Sequence, residues 1–196
     1  MSIKLFIPVI VFCLSSAVQA AEVCAGKDVP VGTICDGGTI FAGALDGVRY
    51  MTTPGNCSDS PNPVCDGRVD TLVKIWGASG VIAGTKNEID GRPNTQTLVT
   101  KFRDTAAARY CDGMNFGGYS DWYLPAEFEM LLLKQGQRAI GSFNSDISWY
   151  WTSTETIWPQ NTEYEKPTAR VVGMGYTGGT NLYKKDAFAV RCVRRF

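Results

Sequence analysis

The side chains best suited to chemistry in this sequence are an acid and two aromatic rings in the stretch GGYSDWYLPAEFEMLLL. Trp122 and Tyr123 could stack on a sugar ring while the carboxylate of Asp121 binds its hydroxyl groups. The structural alternative is that Trp122 and Leu124 fill the angle between a sheet and a helix that begins at Pro125, because a tight strand-to-helix corner needs such residues. We favour the structural interpretation, so this stretch identifies a fold more than a function.

Few of the parts that enzymes use are present. The sequence contains no histidine, which excludes Ser-His-Asp and Cys-His catalysis and zinc sites with histidine ligands. Asp121 could pair with Glu127 or Glu155 as the two carboxylates of a glycosidase, but no spacing fixes the distance between them. We therefore expect a protein without catalytic activity, metal ion or cofactor.

A better candidate for a binding site is the loop TIWPQNTEYEKP at residues 156–167. Trp158 and Tyr164 offer flat apolar faces, Asn161 and Glu163 offer hydrogen-bonding groups, and the prolines limit the entropy lost on binding. The alternative is an ordinary exposed loop whose tryptophan folds back over the core.

A second candidate is the basic end of the chain. Lys184 and Lys185, with Arg194 and Arg195, could pair with the sulfate or carboxylate groups of an acidic glycan. The alternative is that this end is simply solvated. The whole chain has 19 basic and 19 acidic residues, and this balance gives no reason to expect nucleic acid as a partner.

The beginning of the chain has the layout of a secretory signal peptide. Lys4 precedes the apolar run at residues 5–14 and the small-residue exit SSAVQA, which predicts cleavage after Ala20. That run is too short to cross a bilayer, and no later segment is apolar for long enough to span one. We expect residues 1–20 to be removed and the protein to be exported to the periplasm, the cell surface or the medium.

The cysteines predict disulfide bonds. Seven occur in the sequence, and the loss of Cys13 with the signal peptide leaves an even number for an oxidising compartment. Six cysteines allow fifteen connectivities. The pairs that we favour are Cys24–Cys35, Cys57–Cys65 and Cys111–Cys192. The first two join near neighbours in irregular segments, and the third would connect the middle of the domain to its last strand.

Hydrophobic periodicity predicts two helices. Apolar residues recur every four positions from Leu98 to Tyr110, which predicts one helix with Asn94 or Thr95 as its cap. A second helix is predicted to begin at Pro125 and to end at Gly136, because a proline suits the first helical position and a glycine ends a helix. The side chains expected on its inward face are Phe128, Leu131 and Leu132.

The remaining elements are predicted strands at residues 39–42, 48–52, 69–76, 149–155, 168–174 and 187–196. The first two form a hairpin across a glycine-rich turn. The order of a hairpin, two helices and an antiparallel sheet whose last strand returns to the beginning predicts an α+β fold. We expect one domain at residues 36–196, preceded by an irregular arm at residues 21–35.

Several segments in this order resemble the DUF1566 family, also called the Lcl C-terminal domain family: GGTIFAGALDGVRYMTTP, DGRPNTQTLV, AAARYCDGMNFGGYSDWYLP, YWTSTE and AVRCVRRF. The resemblance implies a C-type lectin-like fold, in which two helices pack on a small twisted antiparallel sheet and a disulfide joins the first helix to the last strand. Cys111 and Cys192 match those two positions. The motif residues expected to be structural are Asp121, Trp122, Leu124, Pro125, Trp151 and Arg191.

The resemblance also implies glycan binding and adhesion, including attachment to sulfated polysaccharides. The strings EPN, QPD and WND of calcium-dependent lectins do not occur here, so no calcium site is expected. We expect a non-enzymatic, adhesin-like carbohydrate-binding domain whose partner is a glycan or a surface protein and which could form a homo-oligomer. The alternative is a structural or protein-recognition subunit of a surface appendage or receptor-binding assembly.

Overall fold

The computed structural model describes residues 23–26, 28–59, 61–146, 149–158 and 166–196. The predicted signal peptide lies outside these residues, and so does most of the predicted binding loop. Within the described ranges, no helix is both long and apolar enough to cross a membrane.

The described chain folds into two small sheets and several helices, so the predicted α+β class is confirmed. The strands are β1 (Ile40–Leu45), β2 (Val48–Thr52), β3 (Val73–Ile75), β4 (Trp149–Trp158), β5 (Lys166–Gly173), β6 (Gly179–Tyr183), β7 (Ala187–Ala189) and β8 (Val193–Arg195). The helices are α1 (Gly91–Lys101), α2 (Ala106–Asp112), α3 (Glu127–Gln135) and α4 (Gln137–Ile140). The strand orders are β1-β2-β8 in one sheet and β3-β7-β4-β5-β6 in the other.

The predicted hairpin at the start of the domain is confirmed. β1 pairs antiparallel with β2, and the chain turns at Asp46 and Gly47, whose positive φ angles of 49° and 78° suit a two-residue hairpin turn. The preceding arm follows the other edge of β1: the N–H of Gly32 donates to the carbonyl of Phe41 at 2.8 Å, and the N–H of Phe41 donates to the carbonyl of Thr33 at 2.9 Å. Part of the predicted arm is therefore hydrogen-bonded to the domain.

The first predicted helix is interrupted, which corrects the expectation of one continuous helix. α1 ends at Lys101, and the backbone of the next residue, Phe102, is extended at φ −127° and ψ 136°. Thr105 then donates its hydroxyl to the carbonyl of Leu98 at 3.2 Å, which also accepts the N–H of Phe102 at 3.1 Å, so the side chain joins the start of α2 to the last turn of α1.

The cap of α1 also differs from the prediction. Asp90 caps the helix, because its carboxylate accepts a hydrogen bond from the N–H of Arg92 at 3.0 Å. The predicted caps, Asn94 and Thr95, are buried inside the helix. The hydroxyl of Thr95 donates instead to the carbonyl of Leu124 at 3.2 Å and joins α1 to the corner before α3.

The second predicted helix, α3, is confirmed, although it begins at Glu127 rather than at Pro125. Leu131 and Leu132 pack against a core cluster as predicted, but the inward placement predicted for Phe128 is wrong. Phe128 is 43% exposed, and Glu129 is fully buried. The carboxylate of Glu129 accepts hydrogen bonds from the N–H groups of Ala126 at 2.8 Å and Gly91 at 3.0 Å, and these bonds compensate for its burial. The apolar residues that α3 buries are Met130 and Leu133.

The strand predicted at residues 187–196 is divided between the two sheets. β7 pairs with β3 in the larger sheet, and β8 pairs with β2 in the smaller one. The last strand therefore returns to the beginning of the domain, as expected. The strand predicted at residues 69–76 shortens to β3, and β6 lies between two predicted strands, where the sequence analysis predicts none.

All three predicted disulfide pairs are bonded, namely Cys24–Cys35, Cys57–Cys65 and Cys111–Cys192. The last pair spans 81 residues of sequence and joins α2 to the segment before β8. Both of its cysteines are buried in a core cluster that includes Trp76, Trp122 and Trp151. This bond connects the helical half of the domain to its final strand.

Candidate functional site

The corner at residues 121–125 is built as a structural element. The indole N–H of Trp122 donates to the carbonyls of Phe116 at 3.2 Å and Tyr119 at 3.1 Å. The hydroxyl of Tyr123 donates to Glu129 at 2.7 Å. Because both rings are buried, neither offers an open face to a sugar.

Each carboxylate of the hypothetical catalytic pair is bound to its own cation. The three ion pairs are Asp121–Arg194, Glu127–Arg170 and Glu155–Lys184. The three carboxylates are therefore paired with basic residues of the protein rather than with one another. No group of three or more acidic or cysteine residues in the described ranges is arranged to hold a metal ion.

Lys184 lies inside the protein rather than at a surface. Its side chain is buried, and its ammonium binds Glu155 and donates to the carbonyl of Val81 at 2.7 Å. The centroid of the Trp76 ring lies 4.5 Å from the ammonium. Burial lowers the pKa of Lys184. This position corrects the expectation that Lys184 meets an external anion.

The Lys184–Glu155 pair connects the loop before α1 to the sheet. Glu155, on β4, accepts hydrogen bonds from the N–H groups of Ala83 at 2.7 Å and Gly84 at 2.6 Å. Its own N–H donates to the carbonyl of Thr85 at 2.6 Å. The pair therefore fixes the shape of a loop that has little regular structure of its own.

A second buried ion pair anchors the loop that the Cys57–Cys65 disulfide closes. Arg191 donates to Asp70 with two nitrogens, at 3.0 and 2.5 Å. The same carboxylate accepts the hydroxyl of Tyr150 at 2.8 Å and the N–H of Asn56 at 2.9 Å. Arg191 thus has a structural role inside the domain.

The basic end of the chain is largely neutralised by acidic residues. The residues in ion pairs are Lys184, Arg194 and Arg195. Arg195 donates to Glu129 at 3.0 Å and lies 3.1 Å from Asp90. Lys185 is exposed. The structure therefore does not gather these four cations into one anion-binding surface.

The predicted binding loop falls largely outside the described residues. Asn161, Glu163 and Tyr164 all lie in that part of the chain. For Trp158 the backbone alone is described, as the last residue of β4. Binding by this loop stays a prediction.

Several depressions on the described surface lie around the segment from Asn56 to β3. A cavity of about 260 Å³ lies between Asp59, Lys74 and Tyr110, and its lysine and aspartate form an ion pair. Two shallow grooves, of about 480 and 730 Å³, are both lined by Asn56 and Thr71.

The hydroxyl of Thr71 donates to the amide oxygen of Asn56 at 2.6 Å, and the amide nitrogen of Asn56 donates to Asp66 at 2.9 Å. The polar groups of the grooves are thus bonded to one another, and they do not converge on an empty site.

Trp149 and Tyr176 form a stacked pair of aromatic rings at the surface, which we call the aromatic step. Their centroids are 5.2 Å apart and their planes differ by 3°. Tyr176 is 57% exposed although one of its faces packs on Trp149, so the opposite face is open to solvent. Trp149 pairs with Gly173 at the start of β4, so the step lies at the opposite end of the β4–β5 hairpin from Trp158.

Sequence reasoning did not identify Tyr176 as a site residue. Its segment, MGYTGG, has the composition of a glycine-rich turn, which by itself indicates no binding role. The sequence feature that could have indicated a site is a single aromatic residue flanked by glycines, which have no side chains to cover its ring. Trp149 packs against the same core cluster as Trp151, but Trp151 is fully buried whereas Trp149 is only partly buried.

Comparison with known families gave a match over the larger part of the chain. A model of the Lcl C-terminal domain family matches residues 75–194, which is more than half of the chain. The matched region begins in β3 and ends in β8, and it includes the Cys111–Cys192 bond and the aromatic step. A search of curated proteins found no match. The family expected from the sequence motifs is therefore confirmed.

Proposed function

Because the chain belongs to the Lcl C-terminal domain family, we propose that it is an exported, non-enzymatic carbohydrate-binding domain of adhesin type with a C-type lectin-like fold. Two features support this fold. The Cys111–Cys192 bond joins a helix to the segment before the last strand, and that strand returns to pair with β2. Export is supported by the layout of the first twenty residues and by the three disulfides, which suit an oxidising compartment.

The observation that carries the proposal of carbohydrate binding is the aromatic step. A sugar ring has an apolar face of C–H groups, and contact with an exposed aromatic face removes apolar surface from water on both sides. The open face of Tyr176 is suited to this contact. The ring is already ordered by its stacking on Trp149, so binding would cost little side-chain entropy.

The proposal of a non-enzymatic role is supported by the ion pairs that the candidate carboxylates form within the protein. Acid–base catalysis needs a side chain that can exchange a proton with a bound substrate. Asp121, Glu127 and Glu155 are each held by a separate cation, and Glu155 is buried as well. Their arrangement suits stabilisation of the fold.

A glycan array tests this function most directly. The mature, oxidised chain is applied to neutral, acidic and sulfated glycans, and we expect reproducible binding to a restricted group of them without release of a cleaved product. Silence across the whole array would contradict the proposal. Cleavage of a bound glycan would contradict its non-enzymatic part.

A second candidate function is that of a structural or protein-recognition subunit in a surface assembly. Several aliphatic side chains in and before β3 are exposed, namely Val64, Val69, Val73 and Ile75. β3 lies at the edge of its sheet, and an edge strand beside exposed apolar groups suits another protein chain. Isolation of a stoichiometric protein partner that binds without glycan would favour this function.

A further inference from the structure

We propose that the aromatic step is a glycan subsite and that its ligand is a neutral hexopyranose unit rather than a sulfated one. This inference rests on the proposed carbohydrate-binding function and adds to it a site and a ligand class. Two observations lead to it: an aromatic face that is open at the surface, and the engagement of the adjacent Lys134, and of Arg194 and Arg195 at the chain end, by groups of the protein itself.

The face of Tyr176 has the size and the surroundings that a sugar ring needs. One side of the phenol ring packs on Trp149 with nearly parallel planes, so the other side points away from the protein. The neighbouring Gly175 and Thr177 are also exposed, so neither covers the ring. A hexopyranose can place its C–H face on the phenol while its hydroxyl groups remain hydrated or bind backbone groups of the turn.

Hydrogen bonds from α3 and a close contact at Gly173 hold the stack in place. Lys134, on α3, donates hydrogen bonds to the carbonyls of Gly173 and Tyr176 and thereby fixes the turn between β5 and β6. A Cβ atom at Gly173 would lie 3.0 Å from Cζ3 of Trp149 and 3.1 Å from Cδ2 of Tyr176. The stack therefore depends on a residue without a side chain at position 173, and the open face is preorganised.

The charges of the described residues do not favour a sulfated ligand at this step. Sulfate is bound by charge-assisted hydrogen bonds from arginine or lysine. The ammonium of Lys134 is directed to two backbone carbonyls, and the basic chain end is paired with acidic residues. The formal net charge of the chain is +0, so long-range attraction of a polyanion is weak. A neutral sugar needs none of these cations.

Isothermal titration calorimetry of the mature, oxidised chain tests the site and the ligand class together. The neutral probes are cellohexaose, chitohexaose and a galactose hexamer, and the sulfated probe is a heparin hexasaccharide. Each is titrated at about 50 mM and about 500 mM NaCl, because salt screens the contribution of charge. We expect a neutral probe to bind with a Kd that changes less than about twofold between the two salt concentrations.

Three variants separate recognition from folding. Tyr176→Ala removes the face and should weaken binding of the neutral probe by about tenfold or more. Tyr176→Phe keeps the face and should retain binding. Tyr183→Ala is the matched control, because Tyr183 is 48% exposed on the neighbouring strand β6, and it should leave binding unchanged. The melting temperature of each variant shows whether it is folded.

The outcomes distinguish failure of this inference from failure of the proposed function. Salt-dependent binding of heparin alone would overturn the ligand class and leave carbohydrate binding in place. If Tyr176→Ala binds a neutral probe as tightly as the unaltered chain, the assignment of the site is overturned. A lowered melting temperature of that variant would then show that the stack only stabilises the turn. If no probe binds, the inference is overturned, and the glycan array decides separately whether the domain binds carbohydrate.

Discussion

Replacement of Lys184 by methionine tests whether the buried ion pair holds the loop before α1 to the sheet. The side chains of Lys184 and Glu155 are 0% and 1% exposed. Methionine preserves most of the packing against Trp76, so the main loss is the counter-charge of a carboxylate that keeps only backbone donors. Removal of one partner from a buried pair costs about 3–5 kcal/mol. For a chain of this length, such a loss lowers Tm by about 6–20 °C.

Urea unfolding of the oxidised protein measures this effect, and Lys185→Met is the control. Lys185 is exposed, so its replacement should change the free energy of unfolding by less than about 0.5 kcal/mol. A double variant, Lys184→Met with Glu155→Gln, should recover part of the loss because it also removes the unpaired charge. Equal stability of the two single lysine variants would refute the reasoning.

Three further predictions concern the disulfides, an exposed ion pair and the close contacts of one glycine. Replacing both cysteines of the Cys111–Cys192 bond by alanine should cost about 4–5 kcal/mol in urea unfolding, against about 2–3 kcal/mol for the Cys57–Cys65 bond, because the first closes the longer loop; equal losses would contradict this. A hydrogen bond from the guanidinium of Arg68 lowers the pKa of Asp66 from 3.8 to about 2. The stabilising contribution of this carboxylate is therefore present above pH 3.8 and is lost as the pH falls toward 2. An NMR titration midpoint near 3.8 would contradict this. Gly77→Ala should lower Tm more than Gly80→Ala. Both glycines have a positive φ, but a Cβ atom at Gly77 would lie 2.2 Å from a backbone oxygen, whereas no atom lies within 4 Å of a Cβ at Gly80. Equal melting temperatures of the two variants would contradict this prediction.

The order of the elements could be predicted because each boundary depends on local chemistry. Asp46 and Gly47 determine the hairpin turn, and Gly136 ends α3. The break between α1 and α2 could not be predicted from periodicity, because apolar residues continue at four-residue intervals across it. The hydrogen bond from Thr105 to Leu98 across the break cannot be recognised in the sequence.

The errors in the predicted burial come from charged residues. Glu129 would be assigned to solvent by its type, but two backbone donors, Tyr123 and Arg195 satisfy its carboxylate inside the protein. Lys184 is buried for the same reason, since Glu155 lies opposite it. Partners that are far apart in sequence decide these positions, so composition alone does not show them.

The candidate site was predictable only in part. The importance of surface aromatic residues was expected, but it was assigned to Trp158 and Tyr164 because a proline-rich loop was the clearest exposed segment. The pairing of Trp149 with Tyr176 joins residues on different elements, and it depends on how the turn after β5 folds back. Periodicity within one strand does not report such a contact.

An NMR titration of the ¹⁵N-labelled mature chain with the glycan that binds tests the central claim most directly. We predict that the largest shift changes occur at the indole N–H of Trp149 and at the backbone amides of residues 173–178, with the signals of residues 56–73 unchanged. Shift changes that cluster at residues 56–73 or at the chain end, with those of the aromatic step unaffected, would contradict the account.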